Sequence, residues 1–182
     1  MKAVIYLTEI PEKYAGKNME HLIGEKLLEK GLFCEYGKKL EFEPRAAGEH
    51  GKPFFTLQPG IHYNVTHSGK YVACIFTGQE VGIDIQEHKE VRYQQMMKRM
   101  VPAEIEEKIL GEKDWKKDFF DQWTLREAYV KWTGEGFSRD LRSIPMEEGW
   151  HSLIDVEEGY SGAVWSASPL EITRVQVEAE LP

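Results

Sequence analysis

The amino-acid sequence predicts an α+β protein built from two lobes. Its first half runs from a strand through a helix to three strands, and its second half runs from helices to further strands. Runs of strands followed by runs of helices are typical of α+β folds. We predict that the lobes span residues 1–79 and 80–182 and meet near Gly78–Val81, because no flexible linker separates them.

The first lobe is predicted to open with a strand and a helix. The apolar run Ala3–Leu7 favours a strand. Asn18 is a suitable N-cap for a helix through Glu29, and Gly31 would end that helix. Residues 35–60 carry many turn residues, which indicates a loop-rich connection.

Three further strands are predicted after that connection. They are Tyr63–His67, Tyr71–Phe76 and Val81–Gln86, with turns at residues 68–70 and 77–79. Their close succession indicates an antiparallel meander.

The second half is predicted to begin with helices. The spacing of apolar residues from Tyr93 to Met100 is helical, and Pro102 suits the first turn of another helix through Leu110. A long helix is expected from Asp114, a good N-cap, to Gly134, because glycine commonly follows the last helical turn. Short strands are predicted at 150–154, 162–166 and 172–177.

Composition and charge restrict the possible functions. The net charge of −8 argues against nucleic acid or an anionic membrane as a partner, so an anionic ligand needs a local cluster of donors or a metal. No apolar stretch is long enough to cross a membrane, and the N-terminus lacks the pattern of a signal peptide. Cys34 and Cys74 form neither a disulfide framework nor a metal-binding spacing. These features lead us to expect a cytoplasmic protein.

Asp84 is the first candidate functional residue. In the predicted strand Val81–Gln86, Ile83 and Ile85 would face the core, and Asp84 would face the other side. Gly82 beside it would leave room for a ligand. A carboxylate there needs a partner, because burying an unpaired charge is costly. On this fragment alone, a solvated or hydrogen-bonded aspartate is the simpler interpretation.

Glu127 and Lys131 form the second candidate. They lie at i and i+4 of the long helix, on one stripe with Trp123. Such a pair at the border of an apolar face is either a surface salt bridge, worth roughly 0.3–0.5 kcal/mol, or one half of an active site.

His67 is the third candidate. With the hydroxyl of Thr66 and the turn that follows, its imidazole offers donors to an anion such as phosphate. A histidine satisfied inside a hairpin corner is the simpler alternative. A serine hydrolase is disfavoured because no G-x-S-x-G motif is present, and the six histidines show no zinc-ligand spacing.

Taken together, four segments resemble one known family. They are Gly51-Lys52-Pro53, Tyr63-Asn64-Val65-Thr66-His67-Ser68, Val81-Gly82-Ile83-Asp84-Ile85-Gln86 and Trp123–Lys131. Their order and spacing are similar to those of the Sfp-type 4′-phosphopantetheinyl transferases, whose signatures read roughly G-[IV]-D-[ILV]-E and W-[ST]-x-K-E-[AS]-x-x-K. The resemblance runs from about Lys39 to Phe137. It implies a pseudo-dimer of two similar lobes, each a helix packed on a short antiparallel sheet, with the active site between them.

The resemblance also implies a reaction. Such enzymes move phosphopantetheine from coenzyme A to a serine of an apo acyl or peptidyl carrier protein, require Mg²⁺ and release adenosine 3′,5′-bisphosphate. Asp84 and Glu127 would ligate the metal, and Glu127 would also take the serine proton. Lys131 would neutralise charge that develops on the diphosphate. In the first lobe, Thr66 and His67 would bind the 3′-phosphate, and Lys52 and Pro53 would line the nucleotide pocket.

Some residues depart from the family pattern. Gln86 stands where many relatives carry a second acidic ligand, and a neutral amide is a weaker ligand for a hard cation. Arg126 replaces the usual lysine and would grip phosphate in a bidentate manner. Lys13 and Lys17 are the candidates for the family's basic residues in the short first lobe.

The carrier-binding surface and the activity itself leave alternatives. Docking of an acidic carrier would require a local basic patch. We expect this patch either at Arg92, Lys98 and Arg99 or at Lys116–Lys117. The methionines near Arg92 are more simply explained as core residues.

The alternative function is a module that binds coenzyme A or a carrier without transfer, which only Gln86 favours. Two fused lobes suit a monomer.

Overall fold

The computed structural model describes residues 1–14, 18–136 and 139–179. Within these ranges the helices are α1 (Glu20–Tyr36), α2 (Tyr93–Met100), α3 (Ala103–Gly111) and α4 (Trp115–Thr133). The strands are β1 (Lys2–Glu9), β2 (Arg45–Ala47), β3 (Pro53–Phe55), β4 (His62–Ser68), β5 (Tyr71–Thr77), β6 (Val81–Glu87), β7 (Trp150–Ile154), β8 (Tyr160–Ser166) and β9 (Glu171–Gln176).

The strands form two main sheets and a small hairpin. The first sheet has the order β4-β5-β1-β9, the second has the order β6-β8-β7, and β2 pairs with β3. Each pair is antiparallel except β1 with β9, which is parallel. Helix α1 packs on the first sheet and α4 on the second. The predicted α+β class with two helix-on-sheet lobes is confirmed.

The two sheets face one another across an apolar core. Strands β1, β5 and β6 contribute buried side chains to it, including Ile5, Ile75 and Ile83. Helix α1 covers the opposite face of the first sheet, where Leu28 packs near Phe76. Because β5 is covered on both faces, all seven of its residues are buried. Such a strand is apolar throughout instead of alternating between apolar and polar residues.

Helix α1 is longer than the sequence predicted. Gly31 does not end it, since the helix continues to Tyr36 and Gly37 takes the left-handed conformation just beyond, with φ 64°. At Gly31 a Cβ would lie 2.2 Å from the Phe76 ring. The glycine is therefore required by close packing in mid-helix. The helix begins at Glu20 after Met19, so Asn18 is not its N-cap.

The predicted three-stranded meander is wrong for one strand. Strands β4 and β5 form the expected hairpin, but β6 pairs with β8 in the second sheet. Strand β9 returns to β1 and completes the first sheet. The division of the chain at residues 79 and 80 stays a prediction.

Most of the remaining elements agree with expectation. The bounds of α2 and β7 match those predicted, and α4 ends before Gly134, which has a φ of 74°. Cys74 is a buried thiol and Cys34 an exposed one. Among the helices of the described ranges, none combines the length and apolar character needed to span a membrane.

Candidate active site

Helix α4 lies directly against strand β6. A Cβ at Gly82 would stand 2.0 Å from the carbonyl oxygen of Ala128 and 2.4 Å from the amide nitrogen of Trp132. Only glycine permits this approach. The helix backbone thus fills the space that we expected to be open to a ligand. The same contact brings Asp84, two residues along the strand, close to the last turns of α4.

Asp84 is a buried carboxylate with partners on both oxygens. It is 3% exposed. Its Oδ1 accepts hydrogen bonds from Nζ of Lys131 at 2.7 Å and from Oγ1 of Thr66 at 3.2 Å. Its Oδ2 accepts one from Nε2 of Gln86 at 2.9 Å. The prediction that this carboxylate needs a partner is confirmed. Its bond to Lys131 joins strand β6 to helix α4.

Glu127 lies one helical turn before Lys131 and close to Asp84. Burial raises the pKa of Glu127, the negative charge of Asp84 raises it further, and the positive charge of Lys131 opposes the increase. Two carboxylates in a partly buried place repel one another unless a cation or a proton compensates their charge. The structure therefore brings together Asp84, Glu127 and Lys131, which come from two different elements.

The oxygen donors at this place suit a hard cation with open coordination positions. Within residues 1–14, 18–136 and 139–179, no cluster of three or more histidine, cysteine or acidic side chains is arranged to hold a metal. Mg²⁺ does not need one, since it is commonly bound by one or two carboxylates together with water and phosphate oxygens. The repulsion between Asp84 and Glu127 fits such an ion. Gln86 directs its amide N–H groups at Asp84, so it acts as a donor to that carboxylate.

Thr66 and His67 point to opposite sides of β4. Thr66 is 3% exposed and lies between Asp84 and Lys131, whereas His67 is exposed to solvent. A phosphate site shared by both side chains would require them to lie on one face, and here they lie on different faces of the strand. The predicted role of Thr66 in binding a phosphate stays a prediction. A role of His67 in binding an anion stays a prediction.

Lys52, from the segment before β3, lies beside the C-terminal end of helix α4. Its Nζ donates to the carbonyl oxygen of Trp132 at 2.7 Å and pairs with the carboxylate of Glu80. Burial lowers the pKa of Lys52, and Glu80 opposes that change. Lys52 and Pro53 both line a cavity of about 360 Å³ beside the end of the helix. The residues predicted to line a nucleotide pocket thus do line a cavity, whose ligand stays a prediction.

Arg126 lies on another face of α4. It is 3% exposed, and its Nη1 donates to the carbonyl and side-chain oxygens of Gln122 at 3.2 and 2.5 Å. Burial lowers the pKa of its guanidinium to about 10. The side chain lines a separate cavity of about 660 Å³ between α3 and α4. The structure does not bring Arg126 together with Asp84, Glu127 and Lys131, and its role in gripping phosphate stays a prediction.

The other candidate basic residues lie at the surface. Lys13 is exposed in a short turn, and Lys17 is outside the described residues. The side chains of Arg92, Lys98 and Arg99 are exposed along α2.

The remaining basic candidates and the nearby methionines are held by other contacts. Lys116 pairs with Glu90 and Lys117 with Asp121. Met97 and Met100 are buried, which confirms that these methionines belong to the core.

A row of hydrogen bonds that the sequence did not predict joins β4 to β6. The side-chain oxygens of Asn64, Thr66 and Ser68 accept from the backbone N–H groups of Ile83, Ile85 and Glu87 at 3.0, 3.4 and 2.9 Å. We call these three contacts the seam. Polar residues at every second position of β4 are the sequence signal that indicates it. The seam places Asp84 next to the first sheet.

The family of the chain follows from comparison with known proteins. Residues 80–176, more than half of the 182-residue chain, match the family model of the 4′-phosphopantetheinyl transferase superfamily. The chain belongs to this superfamily. The matched segment contains Asp84, Glu127 and Lys131, so the three residues that meet between β6 and α4 all lie in the part of the chain that matches the family model.

Curated phosphopantetheinyl transferases extend the similarity over most of the chain. The chain is 28% identical over 177 residues to 4′-phosphopantetheinyl transferase Sfp of Bacillus subtilis (strain 168), covering 86% of this chain and 79% of that protein. It is 30% identical over 187 residues to 4′-phosphopantetheinyl transferase gsp of Aneurinibacillus migulanus, covering 86% and 74%. The predicted family and enzyme class are confirmed.

Proposed function

We propose that this transferase moves 4′-phosphopantetheine from coenzyme A to a serine of an apo acyl or peptidyl carrier protein, uses Mg²⁺ and releases adenosine 3′,5′-bisphosphate. The observation that carries the proposal is the 2.7 Å ion pair between Asp84 and Lys131, which joins β6 to α4 beside Glu127. An acidic chain can bind so anionic a substrate only where donors and a cation are concentrated in this way.

Asp84 and Glu127 are the residues that would hold the magnesium ion. When bound, the ion neutralises charge on the diphosphate and orients it for displacement. Gln86 adds only a neutral amide to this place, so water and diphosphate oxygens would complete the coordination.

Glu127 is the group suited to accept the proton of the carrier serine. Its raised pKa brings its basicity nearer to neutral pH, where a general base is most effective. The serine oxygen then bonds to the phosphorus of the phosphopantetheine group, and the bond from that phosphorus to adenosine 3′,5′-bisphosphate breaks.

Lys131 is held ready to act on the leaving group. Two of its ammonium donors bind Asp84 and Thr66 at 2.7 and 3.0 Å. A lysine ammonium carries three donors, so one remains for a phosphate oxygen as negative charge develops.

The first lobe would bind the nucleotide. The cavity beside Lys52 and Pro53 has a volume of about 360 Å³, within the range usual for small-ligand sites. His67 on the exposed face of β4 would contact the 3′-phosphate.

We place the activity in the cytoplasm, where a reducing environment suits the free thiols of Cys34 and Cys74.

The carrier would dock on the exposed basic side of α2. Replacing Arg92, Lys98 and Arg99 by glutamate, singly and together, should raise the carrier KM and leave the affinity for coenzyme A unchanged. Lys26→Glu on α1 makes the same charge change as each single replacement, but in the other lobe, and is the matched control. If the carrier KM of the triple variant equals that of the control, the docking surface lies elsewhere.

The transfer itself is tested by intact-mass measurement of an apo carrier protein. We expect a gain of one phosphopantetheine group after incubation with the protein, coenzyme A and Mg²⁺, and none after chelation of the metal. Binding of coenzyme A with no gain on any carrier of the source cell would instead support the alternative, a non-catalytic binding module.

A further inference from the structure

The hydroxyl of Thr66 lies at the centre of the polar group between the lobes. It donates to Oδ1 of Asp84 at 3.2 Å and accepts from Nζ of Lys131 at 3.0 Å. It also accepts from the backbone N–H of Ile85 at 3.4 Å. One oxygen of the first lobe thus contacts the strand, the carboxylate and the lysine on which the proposed chemistry depends.

This oxygen has no hydrogen-bonding capacity left. A threonine hydroxyl carries one donor and two acceptor lone pairs, and the three contacts use all of them. The residue is 3% exposed, so a phosphate group could reach the hydroxyl only after one of these bonds had broken. His67, the next residue on the strand, is exposed on the opposite side.

We propose that Thr66 is a positioning residue, which fixes the Lys131 ammonium relative to Asp84 and takes no part in binding the 3′-phosphate of coenzyme A. The inference rests on the function proposed above. The ion pair alone leaves the lysine free to turn about the carboxylate. The additional bond to Thr66 restricts the ammonium to one direction, so that its remaining donor points to one place.

The test uses variants that differ in the hydroxyl. Thr66→Val keeps the shape of the side chain and removes the hydroxyl, and Thr66→Ser keeps the hydroxyl. Ser68→Ala is the matched control, because Ser68 makes the seam contact to Glu87 at 2.9 Å but is not bonded to Asp84 or Lys131. If the valine variant does not fold, Thr66→Cys replaces it, since a thiol is only a weak hydrogen-bonding group.

Each variant is assayed with coenzyme A and with 3′-dephospho-coenzyme A. For Thr66→Val we expect kcat to fall about 10- to 100-fold, the usual effect of losing a group that orients a reacting residue. The preference for coenzyme A over the dephosphorylated form should not change, either in kcat/KM or in the Kd measured by calorimetry without metal. Thr66→Ser should restore kcat, and Ser68→Ala should lower Tm with little loss of kcat.

Two results of these activity and binding assays would overturn the inference. One is a Thr66→Val variant that binds both nucleotides equally, which would show that Thr66 holds the 3′-phosphate. The other is a loss of kcat no larger than that of Ser68→Ala, which would reduce Thr66 to a seam contact.

A stability measurement keeps this inference distinct from the proposed transfer activity. In a double-variant cycle of Thr66→Val and Lys131→Met, we expect the double variant to lose less unfolding free energy than the two single variants together. Additive losses would show that the two side chains are not coupled. If the wild type transfers nothing, the proposed function fails, and this cycle still decides whether Thr66 holds Lys131.

Discussion

Gly82→Ala tests the close approach of α4 to β6. The added Cβ would stand 2.0 Å from the carbonyl oxygen of Ala128, whereas ordinary van der Waals contacts of a Cβ atom begin at 3.4 Å. Opening the approach from 2.0 to 3.4 Å moves the helix by about 1.4 Å, because both opposing atoms belong to backbone that cannot rotate away. A shift of that size would lengthen the 2.7 Å bond between Asp84 and Lys131 to roughly 4 Å unless the lysine followed.

The expected effects of this substitution concern stability and catalysis separately. Overpacking of this kind costs about 1–3 kcal/mol of unfolding free energy. A misplacement of about 1 Å lowers the rate about 10²-fold. Unfolding in urea measures the first effect, and the rate of holo-carrier formation well below the unfolding transition measures the second.

Gly111→Ala is the control for this experiment. Gly111 ends α3, and a Cβ there would meet no atom within 4 Å. Its substitution should change stability by no more than about 0.5 kcal/mol and leave the rate unchanged. If Gly82→Ala behaves like this control, the helix backbone does not constrain the site, and close packing at Gly82 does not hold Asp84 and Lys131 together.

Three further predictions concern single carboxyl or amide groups. Glu127→Ala should lower kcat about 10²- to 10⁴-fold in the carrier assay, as expected for loss of a general base, and near-normal transfer would contradict its role. Gln86→Glu should lower the magnesium concentration for half-maximal activity, because a third carboxylate attracts the ion; an unchanged or higher requirement would exclude a ligand role for the position. The Arg45 guanidinium, through its hydrogen bonds, holds the pKa of Glu25 below its usual range. The stabilisation that results, at most about 1 kcal/mol for so exposed a pair, is present above the unfolded-state pKa near 4.3 and is lost as pH falls through the lower folded-state value. Urea unfolding of Glu25→Gln should therefore differ from wild type at neutral pH and converge with it in acid, and a constant difference would show that the carboxylate contributes nothing.

The elements of the fold were predictable wherever local pattern alone decides them. Helix α2 and strand β7 have the bounds read from side-chain spacing and turn residues. The prediction that Gly31 ends the helix is wrong because a glycine that stops a helix and a glycine that packs against a ring look alike in sequence. The pairing of β6 with β8 could not be predicted, because sheet membership depends on partners far along the chain.

The site was predictable in its charged residues and not in the way they are held. Family motifs identify Asp84, Glu127 and Lys131, which come from segments about 40 residues apart. The motif gives no direction for the side chain of Arg126, which turns to another face of α4. Nor does the motif show that the Thr66 hydroxyl is hydrogen-bonded to other residues of the protein. Those bonds depend on β4, β6 and α4 meeting in space.

The pairing of β9 with β1 has a consequence for the order of folding. Lys2 is paired with Glu171, so β1 becomes an inner strand of its sheet only when residues 171–176 are available. During synthesis the edge of β1 that pairs with β9 therefore stays unpaired until residues 171–176 have been made. An unpaired strand edge is prone to aggregation. Shortening the chain before residue 171 should leave that edge open permanently. We therefore expect the solubility of the protein to depend on a short strand that lies far from the chemistry.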